Sequence, residues 1–175
     1  MFNKLVLCGA SALLMLSGPA VAQNAAAPND AQIAHIAYTA GQLDVEAGKQ
    51  ALAKSHNKAV RSFAETMVRY HGAVNEQALA LVKKLHVIPQ DNTTSEALTR
   101  QAGEKARELG KLSGDAFDRA YIQNEVAFHR TVNGALSGTL IPGAHNAELK
   151  SLLETGLTLF QEHQKHAEHL AQSVR

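Results

Sequence analysis

Between Asp30 and Arg175 the chain carries only two prolines, Pro89 and Pro142, and each falls where a helical pattern closes. Long uninterrupted segments remain, and in them apolar residues recur every three or four positions, the period of a helix with one buried face. Alternating strand patterns and β-branched runs are missing. Ala, Leu, Glu, Lys and Gln, all good helix formers, dominate instead.

The spacing predicts five helices. The first runs from Asp30, a suitable N-cap, to about Lys54, with Ile33, Ile36, Ala37, Ala40, Leu43, Ala47 and Ala51 on its stripe. The second starts near Asn57 and ends near Val87, with Val60, Phe63, Ala64, Met67, Val74, Ala78, Leu81, Val82 and Leu85 inward. A third, shorter and weakly apolar, spans about Ser95 to Leu112. Asp115 caps the fourth, which carries Phe117, Tyr121, Ile122, Phe128, Val132 and Leu136 on its stripe. A turn from Gly138 to Gly143 leads to the fifth, from about Asn146 to Gln172.

Four long amphipathic helices and one short one predict an all-α chain, a ferritin-like four-helix bundle with a short crossover helix. At 1.5 Å per residue the third helix rises about 27 Å, enough to climb back along the bundle. The fourth helix would then run parallel to the second. An up-down bundle with a decorated loop is the alternative.

The N-terminus reads differently. Lys4 precedes an apolar run from Leu5 to Leu16, Ser17-Gly18-Pro19 breaks it, and Ala20-Val21-Ala22 supplies a small-x-small cleavage pattern. Residues 1–22 are thus expected to be a signal peptide, 23–29 a flexible tail and 30–175 the domain. The apolar run is shorter than the roughly 18 residues of a spanning helix, so no integral membrane segment is expected after cleavage. Cys8, the one cysteine, leaves with the signal. The exported product then has no disulfide, thiolate ligand or cysteine nucleophile. Met67 alone argues against a thioether copper site.

The whole chain has a formal net charge of +1; without Lys4 the exported part is neutral, with interspersed signs. That excludes the electrostatic footprint of a nucleic-acid binder. Nothing in the sequence names a protein partner or an oligomeric state. There is no Gly-x-Ser-x-Gly and no phosphate loop, so an enzyme is the less favoured reading.

Nine histidines stand out. His71, His129 and His163, with Asp44 and Glu125, fall on or beside the apolar stripes of the four long helices. Core-facing polar groups must be paired, hydrated or metal-bound, because burying them unsatisfied costs several kcal/mol. Imidazole with carboxylate suits Zn, Fe or Cu(II). The five residues are therefore candidate ligands of a divalent transition metal. The competing reading makes them hydrogen-bonded polar groups that set helix register, in a structural or interaction bundle with no metal. Counting from helix ends places His71, His129, Asp44 and Glu125 at one level and His163 about 7–13 Å above them. One cluster and two clusters both stay open, the second being His163 with Asp118, Tyr121 and His166. His35, His56, His86 and His145 fall near helix ends and are expected in solvent. A di-iron centre needs paired Glu-x-x-His motifs; here Glu125/His129 and Glu162/His166 are spaced by four.

Three segments resemble the DUF4142 family of exported bacterial proteins. They are Asp44-Val45-Glu46-Ala47-Gly48 followed by Val60, Phe63-Ala64, Met67-Val68 and His71; Phe117-Asp118-Arg119-Ala120-Tyr121 followed by His129; and Leu157 to His163. The chain departs from the family pattern at Asp44 (Glu expected), Tyr70 (Asp expected) and Thr158 (Pro expected). The resemblance implies a ferritin-like architecture and export to the periplasm, where association with the outer membrane is open; a role in stress or metal handling goes with the metal-binding reading of the five residues. It implies no reaction. Nothing in the chain resembles barrel strands.

Overall fold

A computed structural model describes residues 27–174. The signal-peptide reading, and residues 23–26 of the expected tail, lie outside those residues. Four long helices form the body: α1 (Asp30–Lys54), α2 (Lys58–Lys84), α4 (Gly114–Ala135) and α6 (Ala147–Ser173). Between α2 and α4 lies α3 (Thr93–Gly110), and a short helical turn, α5 (Ile141–Gly143), precedes α6. No strand occurs among the described residues, and no helix there is long and apolar enough to cross a membrane.

Two of the expected caps move by a residue or two. Asn29, not Asp30, caps α1: its side chain accepts from Gln32 N at 3.0 Å while Gln32 Oε1 accepts from Asn29 N at 3.1 Å. Asp30 is thereby freed for a longer reach. Its carboxylate accepts from the backbone N–H of His145 and Asn146, at 2.8 and 2.9 Å, and ties the start of α1 to the start of α6. Ser113, not Asp115, stands at the N-cap of α4. Asn57, Asn92 and Asn146 each bond two backbone N–H groups of the helices they open.

The expected turn from Gly138 is also different. The chain passes from α4 into a π-helical segment, Leu136–Leu140, before the Ile141–Gly143 turn. The wider π turn keeps both Leu136 and Leu140 on the buried side. Pro142 sits in the first turn of α5, where its missing N–H costs nothing.

The core divides into two clusters, and these fix the topology. At one end Ala51 of α1 meets Val60, Phe63 and Met67 of α2, Phe117 and Tyr121 of α4, and Leu170 of α6. At the other end Ile33 and Ile36 of α1 meet Leu136 beyond α4 and Leu149, Leu153 and Phe160 of α6, with Val74 and Leu81 of α2 packed alongside. Helices α2 and α4 therefore run in the same direction, opposite to α1 and α6. Helix α3 makes the return climb along α1, where Gln50 Nε2 and Lys54 Nζ donate to the carbonyls of Ala106 and Gly110, both at 2.9 Å. Gly48 sets the closeness of α1 to α2: a Cβ there would stand 2.9 Å from Val68 and 3.1 Å from the Ala64 carbonyl.

Candidate metal centre

The five candidate ligands meet at mid-height, between the two apolar clusters. His163 belongs with the others: its Nδ1 lies 3.3 Å from His71 Nε2. The separate upper group of His163 with Asp118, Tyr121 and His166 is not what forms. The reason is register. His163 lies ten residues before the end of α6, as Asp44 lies ten before the end of α1, so two parallel helices with level ends bring them to one height. His166 is exposed and sets its ring edge-on to Phe63 at 5.2 Å.

All five residues are at most 4% exposed. Asp44 Oδ2 stands 2.6 Å from His71 Nε2 and 3.8 Å from His129 Nε2. His129 Nδ1 is 3.0 Å from the Glu125 carbonyl one turn earlier, and as the donor there it leaves Nε2 with a free lone pair aimed inward. The Glu125 carboxylate lies 3.7 Å from His129 Nδ1. The His71 ring stacks on Phe160, with centroids 4.4 Å apart and planes 7° apart, which fixes its tilt.

Two sets of donors converge. One atom each from His71, His129 and His163 fall within 4.8 Å of one another, and so do atoms from Asp44, Glu125 and His129. Two ligands of a tetrahedral ion at 2.0–2.1 Å stand about 3.3 Å apart. The His71–His163 and Asp44–His129 spacings are close to that. The 2.6 Å Asp44–His71 approach is shorter and pairs the carboxylate with that ring, while Asp44 Oδ1 has no partner. Both Glu125 oxygens, His71 Nδ1, His129 Nε2, His163 Nε2 and the Tyr121 hydroxyl are likewise buried without one. Folded proteins rarely leave so many buried polar atoms unpaired in one place.

The electrostatics favour neutral His129 and His163. Burial, reinforced by His71 and His129, pushes His163 down to about 3. Burial also lowers His129, against the pull of Asp44. Burial alone would raise Asp44, but attraction to His71, contact with it and attraction to His129 outweigh that and hold its carboxyl below the ordinary value. Glu125 goes the other way: burial and the neighbouring Asp44 charge raise it well above the usual range. Tyr121 is raised too, by burial and then by Glu125 and Asp44. The centre thus presents one ionised carboxylate and the lone pairs of His129 and His163, in the state a metal ligand needs, while Glu125 would have to give up its proton to join them.

Two polar residues escaped the sequence reading. Asn75 and Asn133 are both buried, and each lies four positions after a site histidine, on the same helix face. Asn75 Nδ2 donates to Gln42 Oε1 at 3.1 Å, while Asn133 Nδ2 donates to the Phe160 carbonyl at 3.2 Å and Gln164 Oε1 at 3.0 Å. The spacing of His71 to Asn75 and of His129 to Asn133 was the available signal. Asp118 is buried near the aromatic end rather than among the five. His35 is half-buried, not solvated, and pairs with Asp91 at 2.9 Å; His56, His86, His145 and His169 are exposed.

Two hollows flank the centre. A cleft of about 600 Å³ between α1, α3 and α4 reaches Asp44 and Glu125, and an apolar cavity of about 160 Å³ reaches His71 and His129; Leu98, Phe128 and Thr131 line both.

No curated protein matches the chain. In fold it is similar to a protein of Streptomyces coelicolor described as secreted, DUF305, whose crystal structure superposes with a TM-score of 0.70 at 13% identity, covering 82% of this chain and 91% of that one. Residues 16–170 match the family Domain of unknown function (DUF4142), and the chain belongs to that family.

Proposed function

We propose that this protein is an exported, periplasmic bundle of ferritin-like topology that holds a divalent transition metal through Asp44, His71, Glu125, His129 and His163, with a role in metal handling or stress. The carrying observation is the concentration of buried lone pairs without partners on residues from all four long helices. Mixed imidazole and carboxylate donors favour Zn, Fe or Cu(II) over Ca or Mg, which prefer all-oxygen shells. The secreted character of the DUF305 protein and the signal-like residues 1–22 support the compartment. No nucleophile or phosphate loop accompanies the centre, so the reading is binding rather than catalysis.

The competing reading is a structural or interaction bundle in which the same residues only fix register. The contact of His129 Nδ1 with its own helix carbonyl favours it, since that pairing needs no ion. Elemental analysis of the tag-free mature protein, followed by melting with and without Zn²⁺ or Cu²⁺, separates the two. Bound metal adds RT ln(1 + [L]/Kd), about 2.7 kcal/mol at a hundred times Kd, and His71→Ala and His129→Ala should each remove most of that gain. A protein whose melting ignores every metal tried, while His71→Ala still destabilises it, is a register-setting bundle.

A further inference from the structure

The four helices are not equally filled along their length. On the far side of the site from Phe63 and Phe117, small residues occupy core-facing positions: Ala40 and Gly41 on α1, Ala78 on α2, Ala135 on α4 and Gly156 on α6 all line one cavity. Helices held apart by larger neighbours such as Leu149, Leu153 and Phe160 cannot close around residues that short, so a space of about 160 Å³ stays between them. Thr94 and Leu98 of α3 contribute to its wall.

The polar groups at its edge are largely committed elsewhere. Asn75 Nδ2 is bonded to Gln42, Thr131 Oγ1 to the Ala127 carbonyl, and His129 Nδ1 lies against the Glu125 carbonyl. A buried water needs two to four polar partners, and apart from the unpartnered nitrogens of His71 and His129 at one edge these walls are apolar. An apolar protein cavity of about 150 Å³ is known to stay dry and to accept benzene or xenon. This one matches it in size and in the character of most of its wall. It differs in ending on the rings of His71 and His129 and in reaching the exposed residues Thr94 and Thr131.

We infer that the cavity is an internal binding site for a small uncharged apolar molecule, from a diatomic gas to a single aromatic ring, held against the imidazole side of the polar centre. The inference does not require that a metal be bound.

Crystals of the mature protein under xenon pressure, and melting curves with and without benzene, test it on metal-free protein. Xenon density should appear between Ala40, Ala135 and Gly156, and benzene should raise Tm. Ala40→Leu and Ala135→Leu, each checked for helicity by circular dichroism, fill the space from different helices; both should abolish the xenon peak and the benzene shift. Ordered water in the cavity, no xenon in the unsubstituted protein, or a benzene shift that survives in whichever variants fold would overturn the proposal. Metal-induced melting shifts, measured in the same samples, report on the metal reading separately.

Discussion

The two ends of the bundle are built from the same four helices and the same periodicity, yet they are filled in opposite ways. At the end holding the α1–α2 connection, Phe63, Phe117 and Tyr121 are wholly buried, with ring centroids 6.1 Å apart for Phe117–Tyr121 and 6.3 Å for Phe63–Tyr121. At the other end aliphatic residues surround a void. The polar centre lies at the boundary between them. Stability is concentrated where the aromatic rings are, and the looser end is where the molecule has room for something else.

The largest expected effect tests the filled end. Phe63→Ala removes a fully buried ring from the aromatic cluster and should cost about 3–5 kcal/mol in urea unfolding of the metal-free protein. At the hollow end Leu153→Ala enlarges a space that already exists, and should cost about 2 kcal/mol, the low edge of the range for such truncations. Equal costs would abolish the contrast between the ends.

A smaller effect addresses the boundary. His163 titrates near 3 when folded and at 6.5 when unfolded, so below pH 6.5 the unfolded chain takes a proton that the fold refuses. Metal-free stability should therefore drop as pH falls from 6.5 toward 3, by up to about 1.4 kcal/mol per pH unit from this group. His129 acts in the same direction. Asp44, lowered from 3.8, adds to the loss below that pH. Glu125, raised from 4.5, opposes the trend: its contribution is present at low pH and fades as pH rises through its folded value. Urea midpoints of the metal-free Glu125→Gln variant, which lacks the opposing titration, would show the slope at half-unit pH steps; a flat profile there across pH 4–6.5 would contradict the lowering of His129 and His163.

The smallest effect isolates one carboxyl. Because Glu125 keeps its proton in the fold, Glu125→Gln replaces one neutral group by another of similar shape and should change metal-free stability by less than about 1 kcal/mol below pH 4.5, where the unfolded Glu is neutral too. It should also steepen the acid loss, having removed the opposing titration. Metal affinity should fall in the same variant, since an amide is the poorer ligand.

Periodicity carried most of the architecture. Four long stripes and a short fifth element were enough for the parallel pairing of α2 with α4, because the length of α3 permits a full return climb. What periodicity does not encode is height. Asp44, His71, Glu125 and His129 were legible as one level because their helices start or stop at clear signals; His163, nine residues before the expected end at Gln172 and ten before the true end at Ser173, stands as far from its helix end as Asp44 from Lys54, so its level was legible from the same count. Neighbouring cap residues posed a similar difficulty. Asn29 and Asp30 are both good caps, and only the partner 115 residues away, the N–H of His145, decides between them. Gly138 and Pro142 read as a break, and the π-helical segment there answers to the burial of Leu136 and Leu140, a demand from the folded neighbours rather than from local sequence.

The unpartnered atoms of the centre bear on how this chain reaches its fold. A sequence folds smoothly when each local choice agrees with the whole; here Asp44 and Glu125 bring two carboxyl groups to the middle of a helical bundle, where burial works against the charge of one and holds the proton on the other. Everything around them favours collapse, while the centre itself resists it. The chain is thus locally frustrated at one depth, and such conflicts tend to mark function rather than error. Apolar residues of similar volume at those positions would smooth the landscape and raise stability, as removal of buried charge often does. The natural sequence keeps the conflict, so the native basin of the empty protein is shallower than its aromatic end alone would make it.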